Sequence, residues 1–204
     1  MEICPYRIRC MKLFIFDFGE VILGNVDTFH PLSNLIGISY DELMADYSLY
    51  EMPLMDGYMS VEDYYRHLEM KYEMVINGNP FGELFCPTIN TRMLDNVKEL
   101  RSHGFRCVVG SNTFKPHWDI IKKMGVLENF DALYPSHEIH LSKPETAFFG
   151  YICSHEGVSF DETAFADDRK ENVEAAASLG ISVLEYSGND KDRKASEFFS
   201  KFYK

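Results

Sequence analysis

The sequence predicts an α/β fold, a Rossmann-like doubly wound parallel sheet with a small helical segment inserted after the first strand. Three observations carry that expectation. Short apolar runs alternate with amphipathic helical stretches through the second half of the chain. Gly104, Gly125, Gly157 and Gly180 stand where successive helical patterns stop. Between the first apolar run and this alternation lies a segment of different composition, rich in Tyr and Met.

The first run, Lys12 to Phe18, is almost wholly apolar and reads as a strand buried on both faces. Gly19 and Gly24 then bracket a tight irregular segment. From Asn25 to Pro87 two capping-box signatures, Ser39-Tyr-Asp-Glu42 and Ser60-Val-Glu-Asp63, each open a helix. Tyr40 to Met74 holds seven of the 12 Tyr and six of the 10 Met, the composition of a small helical bundle with a core of its own. The expected division is therefore a core of residues 1–24 and 88–204, with a helical cap at 25–87.

After Pro87 a helix is predicted over Thr91 to His103, with Leu94, Val97 and Leu100 on one face, then a strand over Arg106 to Gly110. Pro116 to Met124 reads as a helix, Ala132 to Tyr134 as a strand and Pro144 to Glu156 as a helix. Thr163 to Ala166 and Ile181 to Tyr186 read as strands around a helix over Glu171 to Leu179. Asp192 to Phe202 has the pattern of an amphipathic closing helix.

Composition bounds the function. The chain has 204 residues, Lys+Arg 20 against Asp+Glu 32, a net charge of −12, and 46% hydrophobic residues. That argues against nucleic acid as a partner, since a phosphate backbone requires clustered positive charge. No apolar run reaches the roughly 20 residues that would span a membrane. The five cysteines are odd in number and none forms a C-x-x-C pair. They read as reduced packing thiols, and the expected location is cytoplasmic. Met1 to Cys10 has no apolar region of the signal-peptide kind. Met11 is an alternative start, with the first ten residues a short tail. Nothing in the sequence demands more than a monomer or weak dimer.

Ligands of such sheets bind at the carboxyl ends of the strands. Four polar groups fall there: Asp17 with Gly19, Ser111 with Asn112, Lys143, and Asp167 with Asp168. Three carboxylates at one edge repel unless a hard divalent cation neutralises them, and Mg²⁺ suits oxygen donors. A carboxylate nucleophile, a hydroxyl donor, an ammonium group and Mg²⁺ together suit phosphoryl transfer through an aspartyl-phosphate.

These residues carry a family resemblance. F-D-F-G-E-V at Phe16 to Val21, V-V-G-S-N at Val108 to Asn112, S-K-P at Ser142 to Pro144 and F-A-D-D-R-K-E-N-V-E-A-A at Phe165 to Ala176 resemble the four ordered motifs of the haloacid dehalogenase superfamily. The insert resembles the helical cap of its subclass I. Within the superfamily the chain is similar to bacterial α-D-glucose-1-phosphatase-like proteins and to the phosphatase domain of soluble epoxide hydrolase. The resemblance implies a Mg²⁺-dependent phosphomonoesterase acting on a small phosphorylated metabolite such as a sugar phosphate. It makes Asp17 the nucleophile, with Ser111 and the Asn112 backbone on the phosphoryl oxygens and Lys143 as the compensating charge. Metal binding falls to Asp17, the Gly19 backbone carbonyl and Asp168, the last aligned by counting back from Ala175-Ala176. Asp167 and Asn172 are then secondary groups.

One departure matters. Most phosphatases of this kind read D-x-D in the first motif, the second Asp serving as general acid and base, and here that position is Gly19. The expected consequence is a preference for leaving groups that need little protonation, as in anomeric sugar or aryl phosphates. The rival reading is a catalytically weak relative that binds a phosphorylated ligand or partner. Haloacid dehalogenation fits less well because of the paired acids Asp167-Asp168, and phosphohexomutase activity because of Gly19. Glu20 is expected to point away from the site. His137-Glu-Ile-His140 reads as a solvated loop, His117 and His155 as structural or exposed, and Trp118 as helix packing.

Overall fold

A computed structural model describes residues 11–203, so the expectations for the first ten residues, including Cys4 and Cys10, lie outside the described residues. In chain order the elements are β1 (Leu13–Phe16), β2 (Leu23–Gly24), α1 (Phe29–Ile36), α2 (Tyr40–Tyr47), α3 (Glu51–Met55), α4 (Val61–Tyr72) and α5 (Pro80–Glu83). There follow β3 (Thr88–Ile89), α6 (Thr91–Ser102), β4 (Arg106–Ser111), α7 (Lys115–Ile121), β5 (Ala132–Pro135) and α8 (Ser136–Ile139). The chain ends with α9 (Thr146–Glu156), β6 (Thr163–Asp167), α10 (Lys170–Ser178), β7 (Ser182–Glu185) and α11 (Lys191–Ser200).

Five strands form a parallel sheet in the order β5-β4-β1-β6-β7. β1 is central, pairing with β4 on one side and β6 on the other. All four of its side chains are buried, because helices cover both faces of the sheet. The alternation along a strand divides them: Phe14 and Phe16 enter one core with Val97 and Leu100 of α6, Trp118 of α7 and Phe199 of α11. Leu13 and Ile15 enter the other with Phe148, Phe149 and Ile152 of α9 and Ala176 of α10. Gly110 lets β4 and α9 close together. A Cβ there would lie 2.8 Å from Ile15 Cγ2 and 3.1 Å from the Phe148 ring.

The helices of the insert bury a separate core that includes Leu43, Tyr47, Tyr64, Tyr65, Leu68 and Phe81. Both Ser caps form as the sequence predicts: Ser39 Oγ accepts the Glu42 N–H at 3.3 Å and Ser60 Oγ accepts that of Asp63 at 3.1 Å. The Tyr-rich composition thus explains itself largely as packing, although Tyr58 and Met70 remain exposed. Phe114, from just before α7, joins this second core and so ties the insert to the sheet domain.

Three details differ from the sequence reading. The two crossings between core and insert run side by side, β2 pairing antiparallel with β3, and strands this short carry no periodicity to detect. α9 begins at Thr146 rather than Pro144, since a turn in which the Glu145 N–H reaches the Ser142 carbonyl at 3.1 Å holds the preceding residues. α7 stops at Ile121, and Lys122–Met124 tightens into a 3₁₀ turn before Gly125. No described helix is long and apolar enough to cross a membrane.

Candidate active site

The three central strands each end in a polar residue of the site, so the residues predicted as far apart in sequence converge at one edge. Asp17 directly follows β1, and its N–H still bonds the Ala166 carbonyl at 2.9 Å. Ser111 closes β4 with Asn112 next, and Asp167 closes β6 with Asp168 next. Lys143 comes from the loop between α8 and α9, and its ammonium reaches between the strands. Lys143 Nζ lies 2.6 Å from Asp17 Oδ1 and 2.7 Å from Asp167 Oδ2. All three are buried.

A buried lysine and two buried carboxylates hold together only as a set. Burial disfavours the Lys143 ammonium, but the charges of Asp167 and Asp17 outweigh it and lift its pKa above the usual lysine range. Burial pushes Asp17 up to about 7 against the pull of Lys143, with Asp167 and Asp168 adding repulsion. Asp168 is pushed up to about 6 by burial and by Asp167.

The two neighbouring acids are not equivalent. Asp167 accepts from Lys143 Nζ, from the Arg169 N–H at 2.8 Å and from Asn172 Nδ2, 3.1 Å from both its oxygens. Its lone pairs are therefore taken up by Lys143, the Arg169 N–H and Asn172. Oxygens of Asp17, Asp167 and Asp168 lie within 4.8 Å of one another, the one cluster of acidic, His or Cys ligands close enough for a cation among the described residues. With Asp167 engaged, Asp17 and Asp168 are the pair left to hold a hard cation, a donor set that fits Mg²⁺. The Gly19 carbonyl accepts the Val21 N–H at 2.7 Å and keeps a second lone pair.

Ser111 Oγ makes only a long 3.5 Å contact with the Asn112 carbonyl, which leaves its hydroxyl able to turn toward a ligand. The Asn112 side chain faces the Lys143 backbone and bonds it at both ends, a positioning role that the motif alone did not suggest. A position for Cβ on Gly19 lies 3.8 Å from Asp17 Oδ2 and 3.7 Å from Val26 Cγ2, ordinary contacts, so space for a side chain exists beside the nucleophile candidate. Glu20 is exposed with φ +53°.

Beside these residues, between the sheet domain and the insert, lies a cavity of about 170 Å³ lined by Gly19, Ser111 and Asn112 together with Phe29, Met55 and His117. His117, read from the sequence as structural or exposed, stacks on Phe85 with ring centroids 4.0 Å apart and also belongs to the cavity wall, which one sequence does not reveal. Where the sequence reads a solvated loop, Ser136–Ile139 forms α8, with His140 as its C-cap. His137 Nδ1 meets the Thr113 carbonyl at 3.1 Å and His140 Nδ1 the Asp56 carbonyl at 2.8 Å, so His140 braces the insert. Gly57 sits at this junction with φ +71°, where a Cβ would stand 2.4 Å from the His137 carbonyl oxygen. Arg169, beside Asp168, reaches Glu51 of α3 at 3.5 Å. Trp118 packs in the core against Phe18, as expected.

Comparisons with known proteins bear on the family and the fold. Residues 11–180 match the family model of the haloacid dehalogenase-like hydrolases. A drimenol cyclase of Aspergillus calidoustus is 29% identical over 202 residues, 93% of this chain, which spans only 37% of that protein. A sesquiterpene phosphatase of Aspergillus oryzae is 26% identical over 179 residues, covering 83% of this chain and 87% of its own length. A glyceraldehyde 3-phosphate phosphatase of Methanocaldococcus jannaschii is 30% identical over 108 residues, about half of either chain (52% and 47%). Among solved structures, a HAD family enzyme of Bacteroides thetaiotaomicron in complex with magnesium and inorganic phosphate superposes with a TM-score of 0.73 at 21% identity. That match covers 88% of this chain and 96% of the other. A predicted HAD-like hydrolase of Porphyromonas gingivalis gives a TM-score of 0.72 at 22% identity, covering 86% and 90% of the two chains. With its four motifs gathered at the carboxyl ends of three adjacent strands, the chain belongs to the haloacid dehalogenase-like hydrolase family.

Proposed function

We propose that the chain is a Mg²⁺-dependent phosphomonoester hydrolase that works through an aspartyl-phosphate at Asp17, with the helical insert of residues 25–87 acting as a subclass I cap. The observation that carries this reading is the buried chain Asp17–Lys143–Asp167, which places a charge-compensated carboxylate beside Asp168 and Ser111. Two relatives bear phosphatase names and differ in what those names say they act on, so the shared chemistry is cleavage of a phosphoester.

Asp17, Asp168 and the Gly19 carbonyl would hold Mg²⁺, which would supply positive charge to the phosphoryl oxygens. The Asp17 carboxylate attacks phosphorus, the bond from phosphorus to the ester oxygen breaks, and that oxygen takes up a proton from water. A second water then attacks the aspartyl-phosphate, releasing inorganic phosphate and restoring Asp17. Lys143 offsets the charge shared by nucleophile and phosphoryl group, and Ser111 Oγ donates to a phosphoryl oxygen. Asp167 and Asn172 keep Lys143 aligned. Closure of the cap excludes bulk water from the transfer step, leaving only the water that protonates the departing oxygen. With no acid at position 19, leaving groups such as aryl or anomeric sugar oxygens are favoured.

Hydrolysis of p-nitrophenyl phosphate, with and without Mg²⁺, tests this on the wild type and Asp17→Asn. The expected result is Mg²⁺-dependent turnover that Asp17→Asn abolishes. Turnover no higher than that of the variant, in folded protein, favours instead a relative that binds a phosphorylated ligand, with Gly19 as the reason for its inactivity.

A further inference from the structure

We infer that Asn90 is a positioning residue for the metal site: its carboxamide holds the Val21 carbonyl and so fixes the turn that presents the Gly19 carbonyl to the cation. This rests on the Mg²⁺-dependent reading above and deepens it. Asn90 lies outside the four motifs that carry the site.

The turn needs support from outside. The Gly19 carbonyl accepts the Val21 N–H at 2.7 Å, so the backbone reverses around Glu20 within three residues. Glu20 sits at φ +53°, a conformation that a residue with a side chain adopts at a cost. The next two residues, Val21 and Ile22, are fully buried. The Phe18 carbonyl takes the N–H groups of Ile22 at 3.1 Å and Leu23 at 2.7 Å, but the Val21 carbonyl has no part in these bonds. Its donor among the described residues is Asn90 Nδ2, at 2.8 Å and 69 positions further along the chain. A buried backbone carbonyl requires such a partner.

Asn90 does this with every polar group of its own committed. Nδ2 also donates to Tyr186 Oη at 2.8 Å, and Oδ1 accepts the Met93 N–H at 3.2 Å, which caps α6. The Asn90 N–H donates to the Ile22 carbonyl at 2.9 Å, directly after β3 brings the chain back from the insert. A flipped carboxamide would set Oδ1 against the Val21 carbonyl and Nδ2 against the Met93 N–H. The network therefore admits one orientation.

Tyr186 braces Asn90 in turn. Its hydroxyl donates to Asp192 Oδ1, and Arg92 donates to Asp192 Oδ2. Its N–H donates to the Asp167 carbonyl at 2.8 Å, at the end of β6 where the two acids stand. Gly19, Val21, Asn90, Tyr186 and Asp167 thus form one hydrogen-bonded path. It ties the carbonyl ligand to the strand end that carries Asp168, and so fixes the separation of the two. Groups that orient metal ligands in this way are typically worth roughly 10–100-fold in metal affinity.

The test uses wild type, Asn90→Asp and Tyr186→Phe, each checked for folding by circular dichroism. Asn90→Asp keeps the oxygen that caps α6 and replaces both N–H donors by an oxygen facing the Val21 carbonyl. Mn²⁺ binding is followed by electron paramagnetic resonance with Mg²⁺ as competitor, and backbone opening by hydrogen exchange. Asn90→Asp should weaken Mn²⁺ binding and raise the Mg²⁺ concentration for half-maximal hydrolysis of p-nitrophenyl phosphate, each about tenfold. Its kcat at saturating Mg²⁺ should fall by much less. Exchange should quicken over residues 19–23 and not over α6 or α11. Tyr186→Phe leaves the bond to Val21 in place and should weaken Mn²⁺ binding about threefold. Should Asn90→Asp fail to fold, unchanged Mn²⁺ binding in Tyr186→Phe overturns the role. Unchanged Mn²⁺ affinity in folded Asn90→Asp, exchange that quickens as much in α6 and α11, or a wild type that binds no Mn²⁺ also overturns it. Weakened Mn²⁺ binding in Asn90→Asp, with no ester hydrolysed by the wild type, supports the role and overturns the phosphatase reading alone.

Discussion

The Asn112 carboxamide grips the Lys143 backbone at both ends, accepting its N–H at 2.8 Å and donating to its carbonyl at 2.7 Å. Residues 31 positions apart are thereby locked in register, and the Lys143 ammonium is carried to a fixed point between Asp17 and Asp167. Replacing the carboxamide removes both bonds at once. Asn112→Leu should lower stability by about 1–3 kcal/mol in urea denaturation. It should also reduce kcat on p-nitrophenyl phosphate by up to about 10²-fold, the scale set by small misplacements of a catalytic group.

Lys143 itself is the charge on which two buried carboxylates depend. Lys143→Met should destabilise the fold by roughly 3–5 kcal/mol, because Asp17 and Asp167 are left facing each other without compensation. Adding Asp167→Asn to that variant should recover part of the loss. A double-mutant cycle by chemical denaturation measures the coupling, and additive losses would contradict it.

Gly19 has room for a side chain and no positive φ to forbid one. Gly19→Asp should therefore fold normally and introduce the missing acid, raising turnover of alkyl phosphates about 10²-fold. Aryl phosphates, whose oxygen leaves unaided, should gain little. The ratio of kcat/KM for an alkyl over an aryl phosphate reads this directly.

Burial pushes the His117 imidazole down to about 4, from an ordinary value near 6.5. Between those values the unfolded chain binds a proton that the native state refuses, so stability rises with pH across this window. It is complete above about pH 6.5 and is lost as the pH falls toward 4, by up to roughly 3 kcal/mol at about 1.4 kcal/mol per unit. Denaturation at pH 7.5 and pH 5 on the wild type and His117→Leu should show a smaller pH-dependent loss in the variant.

The parallel sheet and the four motif positions were legible in the sequence because their signals are local. β1 reads as a doubly buried strand from four consecutive apolar residues, and Asp17 marks its end. Ser39 and Ser60 announce their helices through side chains that reach only three residues along the chain. The β2–β3 pair escaped such reading, since two residues per strand carry no pattern and their pairing depends on the whole insert folding back.

The division within the acidic pair shows the same boundary. Adjacent residues of one type, Asp167 and Asp168, are nearly interchangeable as letters. The structure separates them because β6 ends at Asp167 and buries it against Lys143 and Asn172, while Asp168 is left half-buried. Likewise His117 and Thr28 hold no signal in one dimension. The two residues come to line one cavity only after the insert has packed on the sheet domain. The sequence by itself determined strands, caps and which residues stand at the carboxyl ends, since periodicity and strand termini act over a few positions. Tertiary structure decided which polar groups satisfy one another and what space remains beside them, because burial and cavity shape arise from segments that meet only in three dimensions.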